Sequence, residues 1–397
     1  MTLEEYTLEE KEAIEELRRR LEGEMSQEMF EDDNMFIRFL RARNFNMNPA
    51  ETMLRNHIAW KKANNIDTIL TDYTLKEVVE KYLTLNRIGF DKEGSPVLYS
   101  HFGNLDTKGM LKSIKKSDAM KSIVRRLETD ILAMKEESAK RGKTVDKWIY
   151  IFNFENFSFS TATHKQTLDT LSSLVTMYEA NYPERLKAGY LINAQFYFTL
   201  AFSVIKPFLS GPTIKKINIF GRDGWKEALL KSIDADVLPA FLGGTRTDPD
   251  GNPACKTFIN YGGLVPERYY IRRSSKQFSQ LPGIKKYTVT RMSKVELIMT
   301  VTEPGSYVEW EFETKSKDIG FSLLYKEDNM DNSKVKELIP KQRIDTYMSS
   351  EMGMYKCERP GIYIIVFDNS YSWMFQKEVY CKAAVVSRDR QTVSIVE

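Results

Sequence analysis

The sequence predicts an α/β domain that opens with helices and is followed by a separate all-β sandwich. Three observations predict it. Residues 33–65 repeat apolar side chains at helical spacing before any strand-like run occurs, and residues 74–244 alternate short β-rich runs with helical ones. From about residue 277 the helical signal fades, and strands alternate with turns. At 397 residues the chain is long enough for two or three domains, each with a core of its own.

In the opening region Phe36, Phe39 and Leu40 share one helical face, and Met53, Leu54, His57, Ile58 and Lys61 share the next. Asn48 with Pro49 behind it reads as a helix cap followed by the first helical residue. Strands are expected at 97–102, 148–153, 189–193 and 216–220, and their alternation with helices makes the sheet mainly parallel. The helix expected over 117–141 places Met120, Ile123, Val124, Leu127, Ile131 and Met134 on one apolar face. The one over 164–181 does the same with Leu168, Leu171, Leu174, Val175 and Tyr178, so both read as cover for the sheet. Turn residues Pro249, Gly251, Pro253, Gly262 and Gly263 then close the domain. Sandwich strands are expected at 295–301, 307–313, 320–325, 361–367 and 377–386. The expected domains are therefore a helical subdomain at 1–73, the α/β domain at 74–250, a linker at 251–276 and the β-sandwich at 277–390.

Fifty-eight basic against 55 acidic residues leave a formal charge of +3, too small for a global field that draws the chain onto nucleic acid. Attraction to an anionic surface must come from a local patch. Arg268, Arg272, Arg273, Lys276, Lys285, Lys286, Arg291 and Lys294 gather where the α/β domain gives way to the sandwich. They read either as solvated surface or as a patch for anionic lipid headgroups, worth about 1 kcal/mol per well-placed cation. Residues 1–21 are acidic and helical in pattern, with no apolar stretch before a small-residue cleavage site, so no targeting segment is expected. Residues 190–209 are strongly apolar but are broken by Asn193, Gln195, Lys206 and Pro207, which makes a poor membrane span. Cys255, Cys357 and Cys381 are expected as reduced thiols of a cytoplasmic protein, with a Cys357–Cys381 bridge as the open alternative.

The segment FYFTLAFSVIKPFL (196–209) is apolar nearly all round, apart from a narrow stripe of Thr199, Ser203 and Lys206. It reads either as an ordinary buried helix or as a lid that seals an apolar cavity and swings onto a membrane, exposing its phenylalanines there. Pro207, followed by Ser210, Gly211 and Pro212, supplies an end and a hinge. Asp248, Asp250 and Asn252 around Gly251 fail as a calcium loop, because the sixth position is Pro253 and the twelfth is Ile259. His57, His101 and His164 lack zinc-ligand spacing, and His57 reads as a core histidine. There is no G-x-S-x-G elbow, phosphate-binding Walker loop or dinucleotide loop. No metal or cofactor is therefore expected, and the expectation that the chain is not an enzyme rests on these missing motifs together with the family resemblance of the runs that follow.

The runs FIRFLRARNFN (36–46), YPERLKAGYLINAQFYFTLAFSVIKPFLSGPTIKKINIFG (182–221) and LPAFLGGT (238–245) resemble the CRAL-TRIO lipid-binding family in motif and in order. VEWEF (308–312), DIGFSL (318–323) and PGIYIIVFDNSYSW (360–373) resemble the GOLD domain. Joined by TDPDGNPACKTFINYGG (247–263), the two look like the animal group of supernatant protein factor and α-tocopherol-associated protein. The resemblance implies a bound lipid, either phosphatidylinositol or a hydrophobic ligand such as tocopherol, squalene or a retinoid. It implies transfer between membranes through transient peripheral contact, with a protein partner for the sandwich as a further expectation. The alternative it carries is a lipid-sensing adaptor that recruits a trafficking or biosynthetic protein through the GOLD domain.

Carried over residue by residue, headgroup recognition falls on Arg43, Glu184, Thr213 and Lys216. Lys216 and Thr213 suit phosphate oxygens and Glu184 suits inositol hydroxyls, while Arg43 either joins them or braces Glu184 through an ion pair. The implied pocket and gate comprise Tyr150, Phe196, Phe198, Leu200, Phe202, Ile205 and Phe208. Asn44 stands where some relatives carry a basic residue. Trp148, Tyr150, Arg87 and Leu98 stand where the yeast-type carrier of phosphatidylcholine has small hydroxyl residues and tyrosines, which weighs against a choline headgroup.

Overall fold

The computed structural model describes residues 6–271, 278–315, 318–327, 335–346, 350–389 and 391–395. Four helices open the chain: α1 (Leu8–Arg20), α2 (Gln27–Phe30), α3 (Asp33–Arg41) and α4 (Met47–Asn64). α1 starts in a capping box, with the Thr7 hydroxyl accepting from the Glu10 amide and the Glu10 carboxylate accepting from the Thr7 amide. Three arginines, Arg18 to Arg20, end it against the negative pole of its dipole. Ile14, Leu17 and Leu21 meet Phe36, Phe39 and Leu40 and then Ala50, Met53 and Leu54 in a closed core. The cap of α4 is Asn46 rather than Asn48, so Pro49 lies in the first turn, where a missing amide costs no helical hydrogen bond. Two short helices, α5 (Ile69–Asp72) and α6 (Glu77–Tyr82), lead into the sheet.

That sheet has five strands in the order β1 (Leu85–Phe90), β2 (Pro96–Ser100), β3 (Trp148–Asn153), β4 (Leu186–Ile192), β5 (Ile217–Ile219). β2 to β5 run parallel, and β3 lies at the centre. β1, which the sequence pattern did not predict, pairs antiparallel with β2 and slips register between Arg87 and Gly89. Gly89 has to be glycine there: its φ is +154, and a Cβ would come within 2.6 Å of Val237. The crossovers are α7 (Thr107–Ser113) with α8 (Lys116–Arg141), α9 (Phe159–Thr163) with α10 (Lys165–Asn181), and α11 (Phe196–Ile205) with α12 (Gly211–Lys215). α13 (Trp225–Ser232) follows β5.

The first compact unit comprises Met1–Ser158 and Thr170–Ile271. Residues 251–271, expected as linker, are part of it. Cys255 and Ile259 are buried in its core beside Trp225, Leu229 and Leu238. Asn260 fastens this stretch to the start of the sheet, its side-chain amide donating to the carbonyls of Glu80, Lys81 and Leu83. A polar side chain spent on backbone groups in this way makes loop-like sequence into fixed structure.

The second unit comprises Phe159–Asp169 and Arg272–Glu397. Its strands are β6 (Lys285–Val289), β7 (Lys294–Val301), β8 (Tyr307–Thr314), β9 (Asp318–Lys326), β10 (Lys336–Asp345), β11 (Glu351–Lys356), β12 (Gly361–Asp368), β13 (Lys377–Val386) and β14 (Thr392–Ile395). They make one antiparallel sheet in the order β10-β9-β12-β7, and a second in the order β11-β8-β13-β14 with β6 also on β13. β6, β10, β11 and β14 went unpredicted. Phe312, Phe321 and Phe367 stack inside, with Phe312 and Phe321 5.3 Å apart and Phe367 edge-on to Phe312 at 5.0 Å. Phe159 joins this cluster at 6.0 Å from Phe321, Lys165 forms an ion pair with Glu309, and His164 bridges to Gly353. Cys357 and Cys381 are buried and unbridged, as is Cys255, so the alternative disulfide is not formed. Among the described residues no helix is long and apolar enough to cross a membrane.

Candidate functional site

The central strand β3 divides its side chains between two unlike faces. Ile149 and Ile151 point into a solid core with Val97, Tyr99 and Ile192, closed by Trp225, Leu229 and Ile233. Trp148, Tyr150 and Phe152 point the other way, towards the residues of α8 and α10. Tyr150 and Phe152 stack at 5.5 Å but are only half-buried, although a central strand under helices is the most enclosed place in such a domain. Ile123, Ile131, Leu174, Tyr178 and Ile217 around them are likewise half-buried. Burial nevertheless pushes the Tyr150 phenol well above its ordinary pKa, and that of Tyr178 upward too. These incompletely buried side chains are apolar and aromatic, the kind of lining an apolar ligand needs.

Polar groups also stand among these side chains. The Tyr150 hydroxyl hydrogen-bonds to no protein group among the described residues, whereas Tyr178 accepts from Trp148 Nε1 at 3.0 Å and Tyr182 donates to Glu128 at 2.7 Å. Asp130, fully buried on α8, takes Arg126 at 3.2 Å and Arg87 at 3.4 Å. Burial raises its carboxyl pKa, and the two guanidinium groups oppose that rise. Charge is therefore present near Tyr150 but already paired.

The apolar segment 196–209 folds as α11 and continues as a short 3₁₀ turn, Lys206–Phe208, with Pro207 inside it. Phe198 is its anchor, buried edge-on against Phe154 at 4.7 Å and stacked on Phe202 at 5.2 Å. Phe102 and Phe157 extend the same aromatic cluster. Thr199 and Ser203 donate to the carbonyls of Phe196 and Leu200 in their own helix, which silences the polar stripe. Leu200, Phe202 and Ile205 are half-buried, while Phe208 is exposed and Phe196 keeps 52% of its surface in solvent. A helix that leaves large apolar side chains at both ends in water is not an ordinary core helix.

Two of the expected headgroup residues meet. Lys216 Nζ lies 2.9 Å from the Glu184 carboxylate, both half-buried, with Lys216 just ahead of β5 and Glu184 two residues ahead of β4. Thr213 sits in the turn of α12, one helical turn before Lys216, and accepts from the Ser210 hydroxyl at 2.9 Å. Arg43 does not brace Glu184: it is exposed, and its guanidinium turns back to the Ala42 carbonyl at 2.9 Å. Asn44 and Phe45 beside it take left-handed φ values of 50 and 59, which turns the end of α3 away as the chain enters α4. The arginine that reaches the Tyr182-Pro183-Glu184 segment is Arg38, 5% exposed, which donates to Pro183 O at 3.4 Å and to Asn34 at 3.0 Å. Burial, reinforced by nearby Arg185, pushes the Arg38 guanidinium down to about 9. Of the residues the sequence reading missed, the Arg126–Asp130 pair had a legible signal, opposite charges four apart on a helix. Arg38 had none, since it lies among apolar neighbours on a short helix.

Of the basic cluster, Arg272, Arg273 and Lys276 lie outside the described residues. Lys286 is paired with Glu378 and Lys294 with Glu296, which lowers their worth as free cations.

Half-buried apolar and aromatic side chains on one face of a mainly parallel sheet thus accompany an incompletely buried apolar helix. Residues 81–244 match the CRAL/TRIO domain and residues 5–56 the CRAL/TRIO N-terminal domain. The chain thus carries a match to the CRAL/TRIO domain together with its helical N-terminal companion. It is 26% identical over 353 residues to Protein ctg-1 of Caenorhabditis elegans, an alignment that covers 88% of this chain and 90% of that protein. It is 27% identical over 328 residues to Protein real-time of Aedes aegypti, and 29% identical over 314 residues to a CRAL-TRIO domain-containing protein of Caenorhabditis elegans. Those two alignments cover 80% and 77% of this chain but 49% and 42% of the longer relatives. The crystal structure of Sfh5 is similar at 15% identity and a TM-score of 0.49, covering 66% of this chain and 95% of that one.

Proposed function

We propose that this chain takes one lipid out of a membrane, holds its tail in a recess along β3 and delivers it to another membrane, with α11 as the movable cover. The observation that carries the reading is Tyr150, accessible yet desolvated at the centre of the sheet. Burying a tail there gains little over the bilayer, which is just as apolar, so selection among lipids rests on the few polar contacts and on shape. Glu184, Lys216 and Thr213 supply one such set, fitted to an inositol phosphate headgroup; Tyr150 supplies another, fitted to a hydrophobic ligand with a single hydroxyl, such as tocopherol. The half-exposed Phe196 and Phe208 give α11 its membrane affinity. The sandwich is read as a GOLD-type module.

Vesicle-to-vesicle transfer of labelled phosphatidylinositol and tocopherol tests the reading; transfer of neither, with no lipid in native mass spectra of the purified protein, would end it. Lys216→Ala and Glu184→Ala are expected to abolish phosphatidylinositol transfer and to spare tocopherol binding. Equal loss of both ligands would make the pair a structural salt bridge. Tyr150→Phe breaks no protein hydrogen bond, so stability should change by no more than about 0.5 kcal/mol. Affinity for a hydroxyl-bearing ligand should fall about fivefold, the worth of one neutral hydrogen bond. Equilibrium titration of the variant with tocopherol checks this, and unchanged affinity would remove Tyr150 from the site.

A lipid-sensing adaptor is the second reading. In its favour, the sandwich unit includes Phe159–Asp169, chain that lies between β3 and the rest of α10 in sequence. Lipid-dependent pulldown of a protein through the sandwich would support it.

A further inference from the structure

We infer that the sandwich carries a membrane-insertion tip of its own, built from two neighbouring turns and independent of the lipid recess. The turn between β6 and β7 contributes Met292, and the longer connection between β12 and β13 contributes Trp373, Met374 and Phe375. All four are exposed, Trp373 at 72% and Met292 at 67%. Elsewhere in this unit large apolar side chains are mostly spent on the core, as Phe312, Phe321 and Phe367 are. Four together on adjacent turns form a patch, not scattered surface residues.

The turns are held rigidly with these side chains outward. Asn369, fully buried, donates from its side-chain amide to the carbonyls of Phe375 at 2.8 Å, Thr290 at 3.1 Å and Val289 at 3.3 Å, so one residue ties both turns together. The Met292 amide donates to Ser372 O at 3.1 Å, and the Asn369 amide to Ser293 O at 2.8 Å. Ser372 closes the tip, its hydroxyl donating to Phe375 O at 3.0 Å. A frame of this kind has already lost its conformational freedom, so insertion orders nothing further.

A bilayer fits this tip better than a protein groove does. The apolar residues stand at the apex of two turns, and a tryptophan among them matches the preference of indole for the membrane interface. The same turns and the adjoining strands carry Arg291, Lys294, Lys341, Arg343 and Lys377 against Glu296, Asp318 and Asp368, an excess of two positive charges although all but Arg291 are ion-paired and Lys377 is buried. Cations under an apolar apex suit a surface that contains anionic lipid.

The test uses the full chain and vesicles of phosphatidylcholine with phosphatidylserine. Trp373→Ala combined with Phe375→Ala is expected to lower the partition coefficient about tenfold or more, with the melting temperature unchanged because neither side chain is in the core. Trp373→Phe should keep partitioning but lose the quenching of tryptophan fluorescence by lipids brominated in their tails; of the other four tryptophans, Trp148, Trp225 and Trp310 are buried and Trp60 is half-buried in the first unit, packed against His57 and Tyr182. A double variant that partitions like the parent overturns the inference, and so does quenching that survives Trp373→Phe. Unchanged partitioning with loss of self-association would instead assign the tip to a second protein chain. Partitioning is read without reference to lipid transfer, so its failure leaves the carrier reading standing.

Discussion

A chain ended at residue 271 is expected to lose stability in the part it keeps. The segment Phe159–Asp169 belongs to the sandwich unit, where Phe159 is 2% exposed against Phe321 and where Ala162 and Thr163 are also buried. Removing the strands strips those partners and leaves an apolar ring in water just ahead of α10. Losing the packing of one buried phenylalanine costs about 3–5 kcal/mol, a large share of the roughly 5–15 kcal/mol that holds a domain together. The truncated chain should therefore exchange the amide hydrogens of α10 faster than the intact one and be cut by protease between residues 159 and 169. Equal exchange and equal protease resistance would show that the segment finds other cover. With the segment uncovered as expected, loss of transfer on deleting the sandwich would follow from damage to the α/β domain, so the carrier and adaptor readings are better separated by substitutions at the surface of the sandwich.

Acid should destabilise the α/β unit through His57. Its ring is buried beside Phe39 at 5.1 Å and Trp60 at 5.9 Å, with Nδ1 3.0 Å from the Asn181 side-chain oxygen. Burial holds its pKa down to about 4, with Lys61 and Arg38 adding to the effect and the Asn181 hydrogen bond opposing it. The folded state thus binds this proton less readily than the unfolded chain, whose histidine titrates near the usual 6.5. Its contribution is fully present above about pH 6.5 and is lost as pH falls through about 4, amounting to about 3 kcal/mol. His101, also buried and also lowered by burial, acts with the same sign. Urea unfolding at about pH 7 and about pH 4 should show a smaller acid loss for His57→Phe than for the parent. An identical loss in both would place the acid sensitivity elsewhere.

The fold was legible where one physical signal dominated. The central strand was predicted to the residue, because Trp148 to Asn153 is a short apolar run between polar ends. β1 was hidden by its bulge at Gly89, which breaks the alternation that marks a strand. Residues 251–271 looked like linker because their prolines and glycines signal turns, while what fixes them is long-range: Cys255 and Ile259 in the core, and Asn260 bonded to carbonyls about 180 residues away. The same limit applies at the site. Lys216 and Glu184 could be named from motifs, but only the folded chain shows that Arg38 reaches the neighbouring Pro183 carbonyl. Arg43, next to the left-handed turn at Asn44 and Phe45, folds back on the Ala42 carbonyl instead. Tyr150 was named through the resemblance, but only packing shows that its hydroxyl has no protein partner among the described residues.

The three unbridged cysteines are shared out so that each unit holds at least one: Cys255 in the first, Cys357 and Cys381 in the second. Burial lifts all three thiols above their usual range, Cys357 up to about 12, so hardly any thiolate exists at neutral pH while the chain stays folded. Alkylating reagents can therefore reach sulfur only during transient opening. Mass mapping of the labelled peptides would time the breathing of each half in one tube, with no engineered probe.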